Sequence, residues 1–259
     1  MPTILLVDNG SIKTEATLQL QKIAKQLGDQ LHHQIHPVSL QHAEIVLISF
    51  LREKLQQGVR DFIILPLFFG NSHALTKFIP DVQTELQKEF GSFYLRVADA
   101  LFPLPESDVR LAEIIFANIQ SVASEQSLSL DNIVLVDHGS PSPEITAVRN
   151  GVAKQVQAKL EGDVILEQAV MERRAGKQYD FNGELLENWL NNKADKGETS
   201  AIVALLFSLP GRHAGIGGDI ETICESVMQH YPNFKIGVSP LVGEHPLLLE
   251  ILADRLNAI

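Results

Sequence analysis

The chain switches repeatedly between two hydrophobic periods. Short, almost wholly apolar runs occupy residues 132–137 and 201–207. Between them, apolar residues return at every third or fourth position: Ile145, Val148, Val152, Val156 and Leu160 share one face of a helix over residues 144–160. The pattern predicts strands at 132–137, 163–170, 201–207 and 234–238. It predicts helices at 144–160, 182–192, 218–231 and 246–258, with Asn182 as a cap and Pro246 in a first turn. The near-continuous apolar character of residues 201–207 fits a strand covered on both faces.

The pattern occurs twice. TILLVDNGS at residues 3–11 is matched by NIVLVDHGS at 132–140, and FIILPLFFGNSH at 62–73 by AIVALLFSLPGRH at 201–213. The stretches from Val97 to Pro103 and from Val238 to Pro246 each lead into a helical run. The chain therefore reads as two copies of a unit of about 130 residues, joined near residues 128–131. Domains are expected at 1–130 and 131–259. Four strand–helix alternations per unit predict an α/β fold: two tandem repeats, each a four-stranded parallel sheet flanked by helices, with a cleft between them.

Composition narrows the function. A chain of 259 residues with 45% apolar and 20% charged residues is ordinary globular material. One cysteine, Cys224, excludes an internal disulfide and a thiolate zinc cluster, and fits a cytoplasmic setting. The net charge of −11 argues against a nucleic-acid partner. The N-terminus, MPTILLVDNG, lacks the basic and cleavage features of a signal peptide, and no apolar run is long enough for a membrane span. The expectation is a protein without membrane or nucleic-acid partners.

In an open parallel sheet, ligands bind beyond the carboxyl ends of the strands. In the second unit His138 follows the first strand, with Gly139 and Ser140 after it; Glu172 follows the second; His213 follows the third. Two imidazoles and a carboxylate suit Fe, Co, Ni or Zn, and they leave coordination positions open. Imidazole also titrates near neutrality, so such a set accepts protons as well as metal. Asp137 is either a partner behind His138 or a strand-end cap; Asp8 occupies the same place in the first unit. His32, His33, His36 and His42 read as an exposed strand and helix start, and His230 and His245 as surface residues.

The first unit places Asn9 opposite His138 and Gln41 opposite Glu172, and keeps only His73 opposite His213. Asn and Gln preserve shape but lose metal affinity. The first unit is thus expected to carry a degenerate site. Arg173, Arg174 and Lys177 follow Glu172, and Arg212 precedes His213. In an acidic chain these cations point to a polyanionic substrate; a solvated basic face is the plainer alternative. No dinucleotide, phosphate-loop or esterase motif is present, so no organic cofactor is expected.

With VDHGS, Glu172 and LPGRHAGIGGDI in place, the chain resembles the class II tetrapyrrole chelatases, and in particular the long, internally duplicated sirohydrochlorin chelatases of cobalamin and siroheme biosynthesis. The resemblance implies flavodoxin-like winding and metal ligands at His138, Glu172 and His213. His138 and His213 would also act catalytically, and Ser140, Arg173, Arg174 and Arg212 would contact substrate. The implied reaction is insertion of Co2+, Fe2+ or Ni2+, itself a substrate, into a carboxylate-rich tetrapyrrole without nucleotide hydrolysis. A monomer or a homodimer is expected. Two other readings stay open: a metal or tetrapyrrole carrier descended from a chelatase, and a zinc-dependent hydrolase.

Overall fold

The computed structural model describes residues 1–104 and 108–259. Packing divides the chain into two units, Met1–Glu106 with Pro246–Ile259, and Ser107–His245.

In the first unit, β1 (Thr3–Asp8), α1 (Thr14–Leu31), β2 (Ile35–Ser39), α2 (Leu47–Gln56), β3 (Asp61–Pro66), α3 (Ile79–Phe90) and β4 (Tyr94–Val97) follow one another, with a π-helical turn at Ala74–Phe78 leading into α3. The sheet is parallel, in the order β2-β1-β3-β4. Leu5, Val7, Phe62 and Ile64, at alternating positions of the two central strands, pack with Leu47, Leu51, Leu55, Val82 and Leu86 of α2 and α3. The intervening strand residues, Ile4, Leu6, Ile63 and Leu65, are equally buried and face the opposite layer. Pro37 is tolerated because β2 is an edge strand.

The second unit runs α4 (Arg110–Gln126), β5 (Ile133–Asp137), α5 (Pro143–Gln157), β6 (Leu166–Val170), β7 (Glu184–Leu185), α6 (Leu186–Asp195), β8 (Ser200–Leu205), α7 (Asp219–His230) and β9 (Lys235–Val238). Its sheet is parallel, in the order β7-β6-β5-β8-β9. Val134, Val136, Ala201 and Val203 pack against Trp189, Leu190, Ile220 and Val227 of α6 and α7, while α4 and α5 lie together in the other layer. The last helix, α8 (Leu247–Asn257), packs on α1 and β3. There Arg255 donates to the carbonyls of Ala100 (3.1 Å) and Leu101 (3.3 Å).

The structure corrects the sequence reading in three places. The second sheet has five strands, because the short β7 pairs with β6. Strand β6 begins at Leu166 rather than at residue 163. Asn182 is not a helix cap: it ends a 3-10 helix, Lys177–Asn182, and α6 begins at Leu186 without a side-chain cap. Among the described residues no helix is long and apolar enough to cross a membrane.

Candidate metal centre

In both sheets the chain reverses direction across the sheet beside its first strand, so the crevice opens between β1 and β3 in one unit and between β5 and β8 in the other. In the second unit this crevice receives His138 from the end of β5 and His213 from the loop after β8. Their rings lie 4.5 Å apart, centroid to centroid, nearly edge to face at 75°. Glu172 follows β6, on the other side of β5, and its Oε1 lies 3.4 Å from His138 Nε2. The three predicted ligands, about 75 residues apart from first to last, are thus neighbours at one sheet edge.

The ring hydrogen bonds fix what each imidazole offers. His138 Nδ1 is 3.0 Å from the carbonyl oxygen of Gly139. A carbonyl only accepts, so Nδ1 carries a proton here and Nε2 is the ring nitrogen left to face Glu172. His213 Nδ1 is 2.7 Å from Asp219 Oδ2, and the same logic places a proton on Nδ1 and leaves Nε2 as the nitrogen not engaged by Asp219. Asp219, the first residue of α7, was legible in sequence only as a helix start. Its Oδ2 also lies 3.8 Å from Arg212 Nε.

The turn beneath His138 is built for close approach. Gly139 has φ +89°, and a Cβ there would sit 2.0 Å from the Glu172 carbonyl oxygen. That contact accompanies a backbone bond from Glu172 N to His138 O at 3.1 Å. The first unit repeats the geometry: Gly10 has φ +87°, a Cβ would be 1.7 Å from Gln41 O, and Gln41 N donates to Asn9 O at 3.3 Å. Asn9 and Gln41 therefore stand where His138 and Glu172 stand. His73 is exposed at the start of the π-helical turn.

Among the described residues no group of three or more His, Cys, Asp and Glu side chains is placed to hold a metal ion together. The arrangement is open: a carboxylate–imidazole pair with a second imidazole against it. Half or more of the Glu172 side chain is exposed.

The predicted cations divide into two kinds. Arg173 is committed within its own segment, donating to Gly183 O at 3.0 Å and lying 3.3 Å from Asp180. Arg174 is exposed, with its guanidinium over the Tyr179 ring at 5.9 Å. Arg212 and Lys177 are exposed. The Ser140 hydroxyl accepts from Ser142 N at 3.0 Å, so it first serves the turn before α5. Of the other histidines, His32, His33 and His42 are exposed, while His36 is half-buried against Phe50, with its pKa lowered by burial and by Lys54. Cys224 is buried on α7 and its thiol is pushed up to about 12 by desolvation, which removes it as a nucleophile.

Two tandem doubly wound sheets with their crevices at the same strand ends define a duplicated α/β protein of the chelatase-like fold. The CbiX family model matches residues 3–116 and 132–259, and the chain belongs to that family. Among solved structures, SirB from Bacillus subtilis with Fe3+ is similar with a TM-score of 0.72 and 16% identity, over 99% of this chain and 95% of that one. SirB from Bacillus subtilis subspecies spizizenii in complex with cobalt gives 0.71 and 14%, over 99% and 94%. CbiX described as the terminal enzyme for siroheme biosynthesis in denitrifying bacteria gives 0.63 and 16%, over 99% and 98%. No curated protein matches the sequence.

Proposed function

We propose that the protein inserts a divalent metal, Co2+, Fe2+ or Ni2+, into sirohydrochlorin or a related carboxylate-rich tetrapyrrole, with the chemistry carried by the second unit. The observation that carries this reading is the convergence of His138 Nε2 and Glu172 Oε1, 3.4 Å apart, beside the His213 ring. An imidazole nitrogen and a carboxylate oxygen brought together at a strand end are ligand types that suit a divalent metal. The similar solved structures include SirB with Fe3+ and with cobalt, which adds weight to a metal at this edge.

The open ligand set suits a metal that is delivered rather than kept. A closed cage holds its ion, whereas a carboxylate and two imidazoles leave positions for the nitrogens of an incoming macrocycle. As metal enters, two pyrrole protons must leave. His138 and His213 would be the acceptors, each with Nδ1 already engaged and Nε2 left for the incoming proton or metal. Arg174 and Arg212 would attract peripheral carboxylates, joined by Lys177. Arg173 would act chiefly by holding the segment that carries Arg174, and Ser140 by shaping the turn. The first unit, with amides at two of its three positions, would take no part in metal transfer.

Purified protein mixed with sirohydrochlorin and each metal in turn should give the metallated spectrum over many turnovers, faster than the mixture without protein. Stoichiometric binding without turnover would favour a carrier. No acceleration with Co2+, Fe2+ or Ni2+ would contradict the proposal.

A further inference from the structure

The turn that carries His138 is braced from behind by two buried residues. Arg149 of α5 is 2% exposed. Its Nη1 donates to Asp137 Oδ1 at 2.7 Å and to Ala169 O at 3.3 Å, its Nε to Gln168 Oε1 at 3.2 Å, and its Nη2 to Asn182 O at 2.6 Å. Asn182 is 1% exposed. Its Oδ1 accepts from Ser140 N at 2.9 Å, and its Nδ2 donates to Ser140 O at 2.8 Å and Tyr179 O at 3.1 Å. The same Asp137 oxygen that Arg149 holds also accepts from Gly139 N at 3.1 Å. The residues on both sides of His138 are therefore tied to a single buried network.

One bond in that network reaches the imidazole directly. The N–H of Ser140 and the C=O of Gly139 belong to one planar peptide and point to opposite sides of it. Asn182 grips the N–H; the C=O on the other side receives His138 Nδ1–H at 3.0 Å. Rotation of this peptide would break both bonds together. We propose that Asn182, held in place by Arg149, is a positioning residue that fixes the orientation and tautomer of His138 through the Gly139–Ser140 peptide.

The contrast between units supports a dedicated role. The segment from β6 to α6 includes the 3-10 helix Lys177–Asn182 and the strand β7; the segment from β2 to α2 has neither and runs only from residue 40 to 46. In the first unit Asp8 accepts from Ser39 instead of from an arginine. The brace is present in the unit that has an imidazole at this turn and is replaced by a simpler contact in the unit that has Asn9.

The proposal concerns the geometry of His138 and does not depend on which metal or macrocycle it serves. The test is long-range proton–nitrogen correlation NMR of the imidazoles, at a pH where they are neutral, on the whole protein. In the wild type, His138 should show a single Nδ1–H form. In Asn182→Ala it should become a mixture of tautomers, while His213, anchored on Asp219, keeps its spectrum. Arg149→Lys preserves a cation for Asp137 but cannot reach the Asn182 carbonyl as well; it should shift His138 in the same direction and serves as the deciding variant if Asn182→Ala does not fold. Co2+ affinity should fall roughly tenfold or more in either variant. A His138 that keeps its single Nδ1–H form in the folded variants would overturn the proposal. A wild-type protein that binds no Co2+ would instead count against the chelatase reading, and the tautomer comparison would still decide the role of Asn182.

Discussion

Glu172 Oε1 lies 3.4 Å from His138 Nε2, and the bond from His138 Nδ1 to Gly139 O leaves Nε2 to face the carboxylate. A proton or a metal ion between the two atoms would join them. Glu172→Gln supplies an amide N–H that can donate to His138 Nε2 and close the gap. The variant should bind Co2+ at least tenfold more weakly, by analogy with the loss of groups that support metal ligands. It should melt within a few degrees of wild type, because the Glu172 side chain is mostly exposed and the amide can still contact His138. Calorimetric Co2+ titration paired with thermal melting checks both halves.

Asp219→Ala frees His213 Nδ1 from its 2.7 Å anchor. Carboxylates behind metal-binding imidazoles typically change metal affinity or activity by roughly 10–100-fold, and an insertion rate reduced within that range is expected here. Stability should fall only modestly, by about 0.5–1 kcal/mol, from loss of an acidic group in the first turn of α7. Steady-state rates and melting curves of the variant check this. An unchanged rate would remove Asp219 from the site.

Much of the architecture was legible because strands buried on both faces leave unbroken apolar runs and helices leave a period near four. Asn132 to Asp137 and Ala201 to Phe207 needed no further information. The convergence of His138, Glu172 and His213 was legible because strand ends in a parallel sheet meet at one edge. What surrounds them was not. Residues 173–181 follow neither period and residues 182–185 read as the start of a helix, so the pattern shows neither the 3-10 helix nor β7. Asn182 resembled a cap because it precedes a helical pattern, yet its side chain answers to Ser140, which sits 42 positions earlier. Arg149 falls on the helix face that meets the sheet, where a sequence pattern expects an apolar residue. Its partners lie on β5, on β6 and at Asn182, and only the folded chain collects them.

Gly139→Ala tests the turn. At φ +89° with a Cβ 2.0 Å from Glu172 O, backbone strain and overpacking together should cost roughly 2–5 kcal/mol. At about 2–4 °C per kcal/mol for a chain of this size, the melting temperature should drop clearly, and Glu172 should be displaced from His138. Gly10→Ala should be equally destabilising through Gln41, without affecting metal binding. Gly197→Ala, at φ +84° with nothing within 4 Å, reports the strain alone. Equal melting temperatures for Gly139→Ala and Gly197→Ala would contradict the close approach.

The paired strand-end aspartates should respond in opposite ways to neutralisation. Burial pushes the pKa of both Asp8 and Asp137 above the ordinary carboxylate range, but only at Asp137 does a buried guanidinium, that of Arg149, oppose the shift. Asp137→Asn leaves Arg149 uncompensated and should cost roughly 3–5 kcal/mol. Asp8→Asn removes a buried charge, keeps an acceptor for Ser39, and should raise the melting temperature at neutral pH. The sign with pH follows from linkage. Between the unfolded and the raised folded pKa of Asp8, the folded chain binds more protons, so wild-type stability rises as pH falls. The advantage of Asp8→Asn should therefore be full above the folded pKa and shrink as pH falls through it. Melting curves across the acid range check the trend.

The division of labour between the units is tested most directly by the metal-insertion rates of His138→Ala and His73→Ala, measured with sirohydrochlorin and Co2+ alongside melting temperatures. His138 follows the end of β5 and His73 opens the π-helical turn, both with substantial exposure, so both variants should melt within a few degrees of wild type, the shift of about 1 kcal/mol in a chain this long. His138→Ala should abolish insertion, because a ligand and a proton acceptor are lost together. His73→Ala, whose neighbours in the repeat are Asn9 and Gln41, should retain most of it. A folded His73→Ala that loses as much activity as His138→Ala would contradict the assignment of the chemistry to the second unit.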